Sequence, residues 1–477
     1  MKKMPIVNAM QAYAADCVYP LHTPGHKGGR VINSEFADFM REHFFDLDVS
    51  LMAELDSVQA PFGCIAEAHA LAAKLYGADI THFAVNGTTG ALQSLALGAF
   101  NPKDKVLIAR NMHCSVMAAL ILADIQPIFI QTEFLPEFGI CVQVTAEQVQ
   151  AAFDEHPDLK GVMLTSPSYF GIVADVERIA AIVKRHNAIL LVDEAHGAHF
   201  GFSDKLPQSA LKLGADAVVQ STHKSLSALT QTSMLHMKRG RLACDRVSKM
   251  FGLLTSTSPN QWLLASLDAA RQLMQEHGVE LMDRAYTVAA NFRGKLQSIE
   301  GLRVLDIQNI GCRSAYAQDI TKVLVNFREL GYTGIQVGEY LRQHSFEVEL
   351  VDEYNALFLL TYAEDESKLD EIVELLRSLP RKAKLDLLSL PKAALPERAM
   401  SVHNAFYTEH ETVEFAQAQG RVMAESIIFY PPGIAHILPG EVLSAVDIDY
   451  CQQMAALGVV VAGASDATLQ TVRVVKQ

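Results

Sequence analysis

Short apolar runs punctuate the first half of the chain. His82-Phe83-Ala84-Val85, Val106-Leu107-Ile108-Ala109, Pro127-Ile128-Phe129-Ile130, Gly161-Val162-Met163-Leu164, Ile189-Leu190-Leu191-Val192, Ala217-Val218-Val219 and Met234-Leu235-His236-Met237 each read as a strand. Segments between them, such as Thr89 to Phe100 and Asp175 to His186, have helical spacing. Strands that are apolar on both faces and alternate with helices predict an α/β fold: a mostly parallel, seven-stranded sheet covered by helices. Ligands in such folds bind beyond the carboxyl ends of the strands. Asn86, Arg110, Thr165, Asp193 and Ser221 all fall at such ends.

The pattern changes after about residue 300. Arg303-Val304-Leu305, Lys322 to Val325 and Ala356 to Leu360 read as strands, with helices over Thr333 to His344 and Glu366 to Leu379. The expected organisation is an N-terminal arm (1–60), a large domain (61–300), a smaller α+β domain (301–380), a linker (381–396) and a compact C-terminal domain (397–477). The linker is rich in charge and proline, from Pro380-Arg381-Lys382 through Pro391 to Pro396.

Composition narrows the partners. The chain has 477 residues, half of them apolar and a fifth charged, as in a globular protein of more than one domain. A formal net charge of −14 with no basic stripe argues against nucleic acid and agrees with a cationic substrate. The seven cysteines are scattered without metal-ligand spacing, so neither zinc nor disulfides are expected. Asn8, Gln11 and Asp16 interrupt any leader-like apolar core, and no stretch has the length of a membrane span. A cytoplasmic location is the expectation.

Three features bear chemistry. Ser221-Thr222-His223-Lys224-Ser225 follows a buried strand, and a lysine there is poorly solvated as a cation, so its amine is readily deprotonated and committed to a Schiff base. Asp193 closes another apolar strand and precedes Glu194-Ala195-His196-Gly197. A carboxylate beneath a pyridine nitrogen keeps that nitrogen protonated and the ring electron-poor. Asn86-Gly87-Thr88-Thr89-Gly90 joins a strand to a helix, where backbone amides, the helix N-terminus and two hydroxyls suit a phosphate. Each has a plainer reading: a surface lysine, a buried cap, a threonine N-cap. Together, in this chain order, they are the parts needed to hold pyridoxal 5'-phosphate. His113 follows a strand end and is a candidate to stack on a flat ring. His196 and His223 are candidates for its oxygen or phosphate, and His223 also for proton donation.

With Thr23-Pro24-Gly25-His26-Lys27-Gly28-Gly29, Val192-Asp193-Glu194-Ala195-His196-Gly197, Ser221-Thr222-His223-Lys224 and Phe429-Tyr430-Pro431-Pro432-Gly433-Ile434, the chain resembles the Orn/Lys/Arg decarboxylases of the aspartate aminotransferase fold (pyridoxal phosphate fold type I) over nearly its whole length. Within that family the likeness is to the compact bacterial arginine decarboxylases of polyamine synthesis. Since the first motif begins at Thr23, the N-terminal wing of the large members is not expected. The resemblance implies that Lys224 is the Schiff-base lysine and that Asp193 pairs with the ring nitrogen. It implies that Gly87, Thr88, Thr89, Ser221 and His223 hold the phosphate, that His113 stacks on the ring, and that His196 and Ser166 approach its oxygen. It also implies a homodimer or higher assembly with sites at the subunit boundary, Thr255 to Ser258 reaching the partner's phosphate. The family has lysine after the stacking histidine, where this chain has Cys114.

The activity so implied is decarboxylation of a basic L-amino acid, arginine first, then lysine or ornithine, with Cα reprotonated by His223 or Lys224. An aminotransferase of the same fold needs a small-domain arginine for the substrate carboxylate, and Arg313 is the nearest candidate. A silent binding protein is the remaining alternative, against which the intact lysine, aspartate and phosphate loop argue. Asp46, Asp48, Glu54 and Asp56 are candidates for the substrate head group across a dimer, and Glu441 for a structural or entrance role.

Overall fold

The computed structural model describes residues 4–50, 52–387, 395–430 and 433–476. Residues 388–394 of the linker expected at 381–396, Pro391 among them, and Pro431-Pro432 of the C-terminal motif lie outside the described residues.

Seven strands form the central sheet: β1 (Ile80–Ala84), β2 (Lys105–Ala109), β3 (Gln126–Ile130), β4 (Gly161–Thr165), β5 (Ile189–Asp193), β6 (Ala217–Gln220) and β7 (Ser233–Met237). Their order across the sheet is β1-β7-β6-β5-β4-β2-β3. All neighbours are parallel except β7, which runs antiparallel to both β6 and β1. The continuous apolar runs are explained by two cores, one on each face: Ile108, Leu191 and Val219 point into one, Leu107, Leu190 and Val218 into the other. Alternate residues of a strand face opposite ways, so burial on both sides leaves no polar face.

Helices α1 (Cys64–Tyr76), α2 (Gly87–Ala99), α3 (Cys114–Ala123), α4 (Val176–Arg185), the single turn α5 (Thr222–Ser225) and the 37-residue α6 (Gln261–Gln297) belong to this part of the chain. Asp56 does not serve a substrate head group from an open surface. It is buried, and its carboxylate accepts the backbone N–H groups of Phe62, Gly63 and Ile65, which start α1.

The small unit is an antiparallel sheet, β8 (Arg303–Val304), β9 (Lys322–Asn326), β10 (Leu350–Val351) and β11 (Asn355–Leu359), in the order β8-β9-β11-β10. Helices α7 (Gly334–Gln343) and α8 (Glu366–Arg377) accompany it, each within a residue or two of the expected bounds. A third sheet, β12 (Ile427–Tyr430), β13 (Ile434–Ile437) and β14 (Val460–Ala462), encloses its own apolar core around Phe415, Phe429 and Val472.

Two devices fasten these parts around the sheet's carboxyl edge. The first is the Thr23–Gly29 segment. Its Gly25 N–H donates to the His223 carbonyl at 2.7 Å, and a Cβ on Gly25 would meet the Leu226 carbonyl oxygen at 2.6 Å. Only glycine allows that approach to the lysine turn. Lys27 is fully buried and donates to the carbonyls of His22 and Leu359, beside Glu364 at 3.6 Å. The second is a buried ion pair at the end of β2: Arg110 donates to Glu441 and to the His436 carbonyl, each at 2.9 Å. Glu441 is therefore structural, tying the C-terminal sheet to the large one. No helix among the described residues is long and apolar enough to cross a membrane.

Candidate active site

A cavity of about 260 Å³ opens where β1, β2, β4, β5 and β6 end. Gly87, Thr88 and Thr89 line it from the start of α2, Asp193 from the last position of β5 and His196 from just beyond it, and Ser221, His223 and Lys224 from the turn after β6. His113 enters from the end of β2, and Tyr430 and Ile434 from the C-terminal sheet. Residues far apart in sequence meet here because parallel strands deliver their ends to one edge.

The α2 end fits an anion. Gly87 has φ +67°, a left-handed conformation that a side chain would strain. The turn it permits leaves the first amides of α2 free of intrahelical partners. Thr88 Oγ1 is hydrogen-bonded to both Ser221 and Ser233 hydroxyls, which fixes one wall of the cradle.

Burial sets the charge states opposite. The Lys224 amine is held below its usual range by desolvation, with Asp193 and Glu349 pulling the other way. Burial likewise pushes the Asp193 carboxyl up, with Lys224 opposing it, and its Oδ1 accepts the Ala195 N–H at 3.1 Å. Glu194 turns away, taking Ser209, Ala210 and Gln220 at 2.7 Å each, and burial raises it to about 7. Desolvation lowers His113 to about 4, with the Lys224 charge adding to it, and His223 to about 4. His223 Nδ1–H donates to the Thr232 carbonyl at 2.8 Å, so its free lone pair is on Nε2. His113 caps α3 through Nδ1, which accepts the Ser115 N–H, and its Nε2 lies 3.3 Å from the Tyr430 hydroxyl.

The structure does not bring every expected residue to the cavity. Ser166 is buried beside it, but its hydroxyl accepts the Ala174 N–H at 3.2 Å while Thr165, Pro167 and Ser168 form the wall. Thr255 is spent on the Phe251 carbonyl at the end of a helix, and Ser258 is exposed outside the cavity of its own chain. Arg313 is exposed and is not part of the cavity lining, so it does not supply the arginine an aminotransferase would need.

Sequence reasoning missed Lys322, Tyr169 and Glu349. Lys322 on β9 is buried and its Nζ lies 2.7 Å from His196 Nδ1, while His196 Nε2 lies 3.1 Å from Lys224 Nζ. Tyr169 donates to Glu349 at 2.7 Å, and the other Glu349 oxygen accepts the Thr23 N–H at 2.8 Å. The only sequence signal for Lys322 is a charge opening an otherwise apolar strand.

A solvent-poor lysine, a buried carboxylate and an anion cradle around one cavity are the parts that an enzyme working through a phosphate-bearing aldehyde needs. Residues 4–317 match the family model for the Orn/Lys/Arg decarboxylase major domain, and residues 386–464 that for its C-terminal domain. The chain belongs to the Orn/Lys/Arg decarboxylase family and is a decarboxylase. It is 37% identical to the arginine decarboxylase of Bacillus subtilis (strain 168), covering 99% of this chain and 98% of that one. It is 26% identical to the lysine decarboxylase LdcA of Pseudomonas aeruginosa, covering 92% of this chain and 73% of that one. The fold matches the crystal structure of the Francisella novicida lysine decarboxylase LdcF with a TM-score of 0.78 at 22% identity, over 99% of this chain and 83% of that one. Family membership implies pyridoxal phosphate, and the donor set just described fits it.

Proposed function

We propose that this protein decarboxylates L-arginine to agmatine with pyridoxal 5'-phosphate. The observation that supports the chemistry is the desolvated Lys224 amine sharing one cavity with Asp193 and the α2 N-terminus. The choice of arginine rests on the full-length likeness to the Bacillus subtilis arginine decarboxylase. Lysine and ornithine are the alternatives.

Gly87, Thr88, Thr89 and Ser221 would hold the phosphate, His113 the ring face, Asp193 the ring nitrogen and Lys224 the aldehyde carbon. Bound there, the cofactor supplies an electron sink for the bond between Cα and the substrate carboxylate. Lys224 would have two tasks: its neutral amine would hold the aldehyde carbon, and its Nζ would carry the proton that goes to Cα. His223 Nδ1–H is spent on the Thr232 carbonyl and its Nε2 would be spent on the phosphate, which leaves the Cα proton to Lys224. A phosphate dianion against His223 Nε2 would draw a proton onto that nitrogen and make it a charged anchor. His196 lies against Lys224 and the Tyr169 ring and keeps water from the amine.

Asp193 is the one carboxylate among the described lining residues, so none is left over for a guanidinium. A second copy of the chain would supply it. Phe45, Phe62 and Leu253 are 86%, 78% and 75% exposed. Gln59 joins this surface to the helix end by bonding the Thr255 carbonyl at 3.0 Å. Asp46, Asp48 and Glu54 are exposed on the same arm. A homodimer buries those apolar side chains and brings the acids and Ser258 toward the other site. Sedimentation of the holoprotein is expected to give the mass of a dimer or a multiple of it, and a monomer at working concentration would end the shared-site reading.

The test of substrate is carbon dioxide release from L-arginine, L-lysine and L-ornithine, without added keto acid. Arginine is expected to give a kcat/KM about 10²-fold or more above the others, because a site built for a guanidinium leaves hydrogen-bonding groups unpaired around an ammonium. A preference for lysine would overturn the assignment of substrate, and a dependence on keto acid that of the reaction.

A further inference from the structure

Lys322, His196 and Lys224 form a chain of hydrogen bonds whose proton count is constrained. Lys322 Nζ meets His196 Nδ1 at 2.7 Å and His196 Nε2 meets Lys224 Nζ at 3.1 Å. Each contact needs one donor and one acceptor. An ammonium has only donors, and a neutral imidazole has one donor and one acceptor. If both lysines were ammonium ions, His196 would have to accept at both nitrogens, which a neutral imidazole cannot do. A protonated imidazole would need two neutral amines. Two hydrogen bonds on a neutral His196 therefore require at least one uncharged lysine.

We propose that Lys322 is a positioning residue that acts through His196 to keep the Lys224 amine uncharged. With Lys322 as the ammonium, Nδ1 must accept, the His196 proton must sit on Nε2, and Nε2–H is aimed at the Lys224 nitrogen. Lys224 can take that hydrogen bond only through a lone pair. The chain thus presents a free amine at the place where an aldehyde must be captured and, later, where substrate must be displaced. The inference rests on the reading of Lys224 as the cofactor lysine for its purpose, though not for its geometry.

The surroundings decide which lysine is charged. Facing Lys322 are Glu349 and Asp319, whose charges favour its ammonium, and Lys27 and Lys224, which oppose it; burial brings it down to about 8. Its Nζ also lies 5.5 Å from the Tyr169 ring centroid, a favourable place for a cation. Asp319 has a second neighbour, His199, at 3.2 Å. Facing Lys224 are Asp193 and Glu349. Glu349 faces both lysines and burial pushes the Asp193 carboxyl up toward its neutral form, so Lys322, with Asp319 and the Tyr169 ring, is the better-supported cation. His113 and His223 also face His196, and both are neutral near pH 7. His196 itself is pushed well below its usual range, by burial first and then by the two lysines, so it is not a third cation.

The test reads Lys224 directly. Trace acetylation of the full-length protein, freed of cofactor, is followed by mass spectrometry of the Lys224 peptide across pH. In Lys322→Met, His196 is free to accept from a Lys224 ammonium, and one repelling cation is gone. The Lys224 midpoint is expected to rise by about one pH unit or more, which is about tenfold less free amine at neutral pH. Capture of added pyridoxal phosphate should slow in proportion, and Lys322→Arg, which keeps a cationic donor, should recover part of both. An unchanged or lower midpoint in Lys322→Met overturns the proposal. If that variant does not fold, His196→Phe cuts the same chain. It is expected to raise the midpoint, and no rise there overturns the proposal equally. A wild-type protein that takes up no pyridoxal phosphate would sink the functional reading, while the acetylation midpoints would still decide this one.

Discussion

Lys224→Ala is expected to lower carbon dioxide release by more than about 10³-fold, because one side chain provides both the capture of the aldehyde and the proton transfer at Cα, and a positioned proton donor alone contributes 10²–10⁴-fold. The fold should survive. Lys224 sits in a one-turn helix whose backbone is held by Gly25 and Thr232, not by its amine. Removing a buried amine also spares the cost of desolvating it. Two measurements check this. Steady-state release from L-arginine should fall to background, and borohydride treatment of the holoprotein should tag the Lys224 peptide in the wild type and nothing in the variant. Near-normal release by Lys224→Ala would remove the basis for the whole site.

The difference between what the chain announces and what it conceals has a physical pattern. The sheet strands announce themselves because burial on both faces needs an unbroken apolar run, and β5, buried at every position, is the clearest. The main site residues are legible for a related reason: they stand where such a run stops, and parallel strands stop at one edge. Lys322 does not stand there. It opens β9 in the other sheet, and its partner His196 is 126 residues away, so only the docking of the two sheets makes it a site residue. Glu349 is hidden for the same reason, bonded to Thr23 and Tyr169, which lie 326 and 180 residues earlier in the chain. Errors arose where a local pattern had a tertiary use. Asp56 resembles a surface acid but starts a helix, and Ser166 ends a strand but bonds back to Ala174. The 37-residue α6 buries one face at helical spacing, from Leu264 and Leu267 through Ala270, Met274 and Met282 to Leu296, with Gly278 in the middle of it. A Cβ there would meet the Phe202 ring at 2.9 Å, so close packing took precedence over helix propensity.

Asp193 offers the sharper test of mechanism, since it touches neither the aldehyde nor the moving proton. Its carboxyl is pushed up by burial and drawn back by the Lys224 charge, so an anion is stable there only with a cation close by. In the loaded protein a protonated ring nitrogen would be that cation, and the pair would keep the ring able to accept electrons. Asp193→Asn keeps the volume and the oxygen that receives the Ala195 N–H, but not the charge. It is expected to fold, to take up pyridoxal phosphate through the Gly87–Thr89 cradle and Lys224, and to lose about 10²–10³-fold in kcat, the scale of removing one preorganised electrostatic partner. Asp193→Ala should lose at least as much. The readout is therefore a split: a cofactor absorbance band close to wild type beside a collapsed rate, in contrast to Lys224→Ala, which should lose both. If Asp193→Asn turned over near the wild-type rate, the ring would not depend on that carboxylate, and the electron sink would have to be sustained by another group.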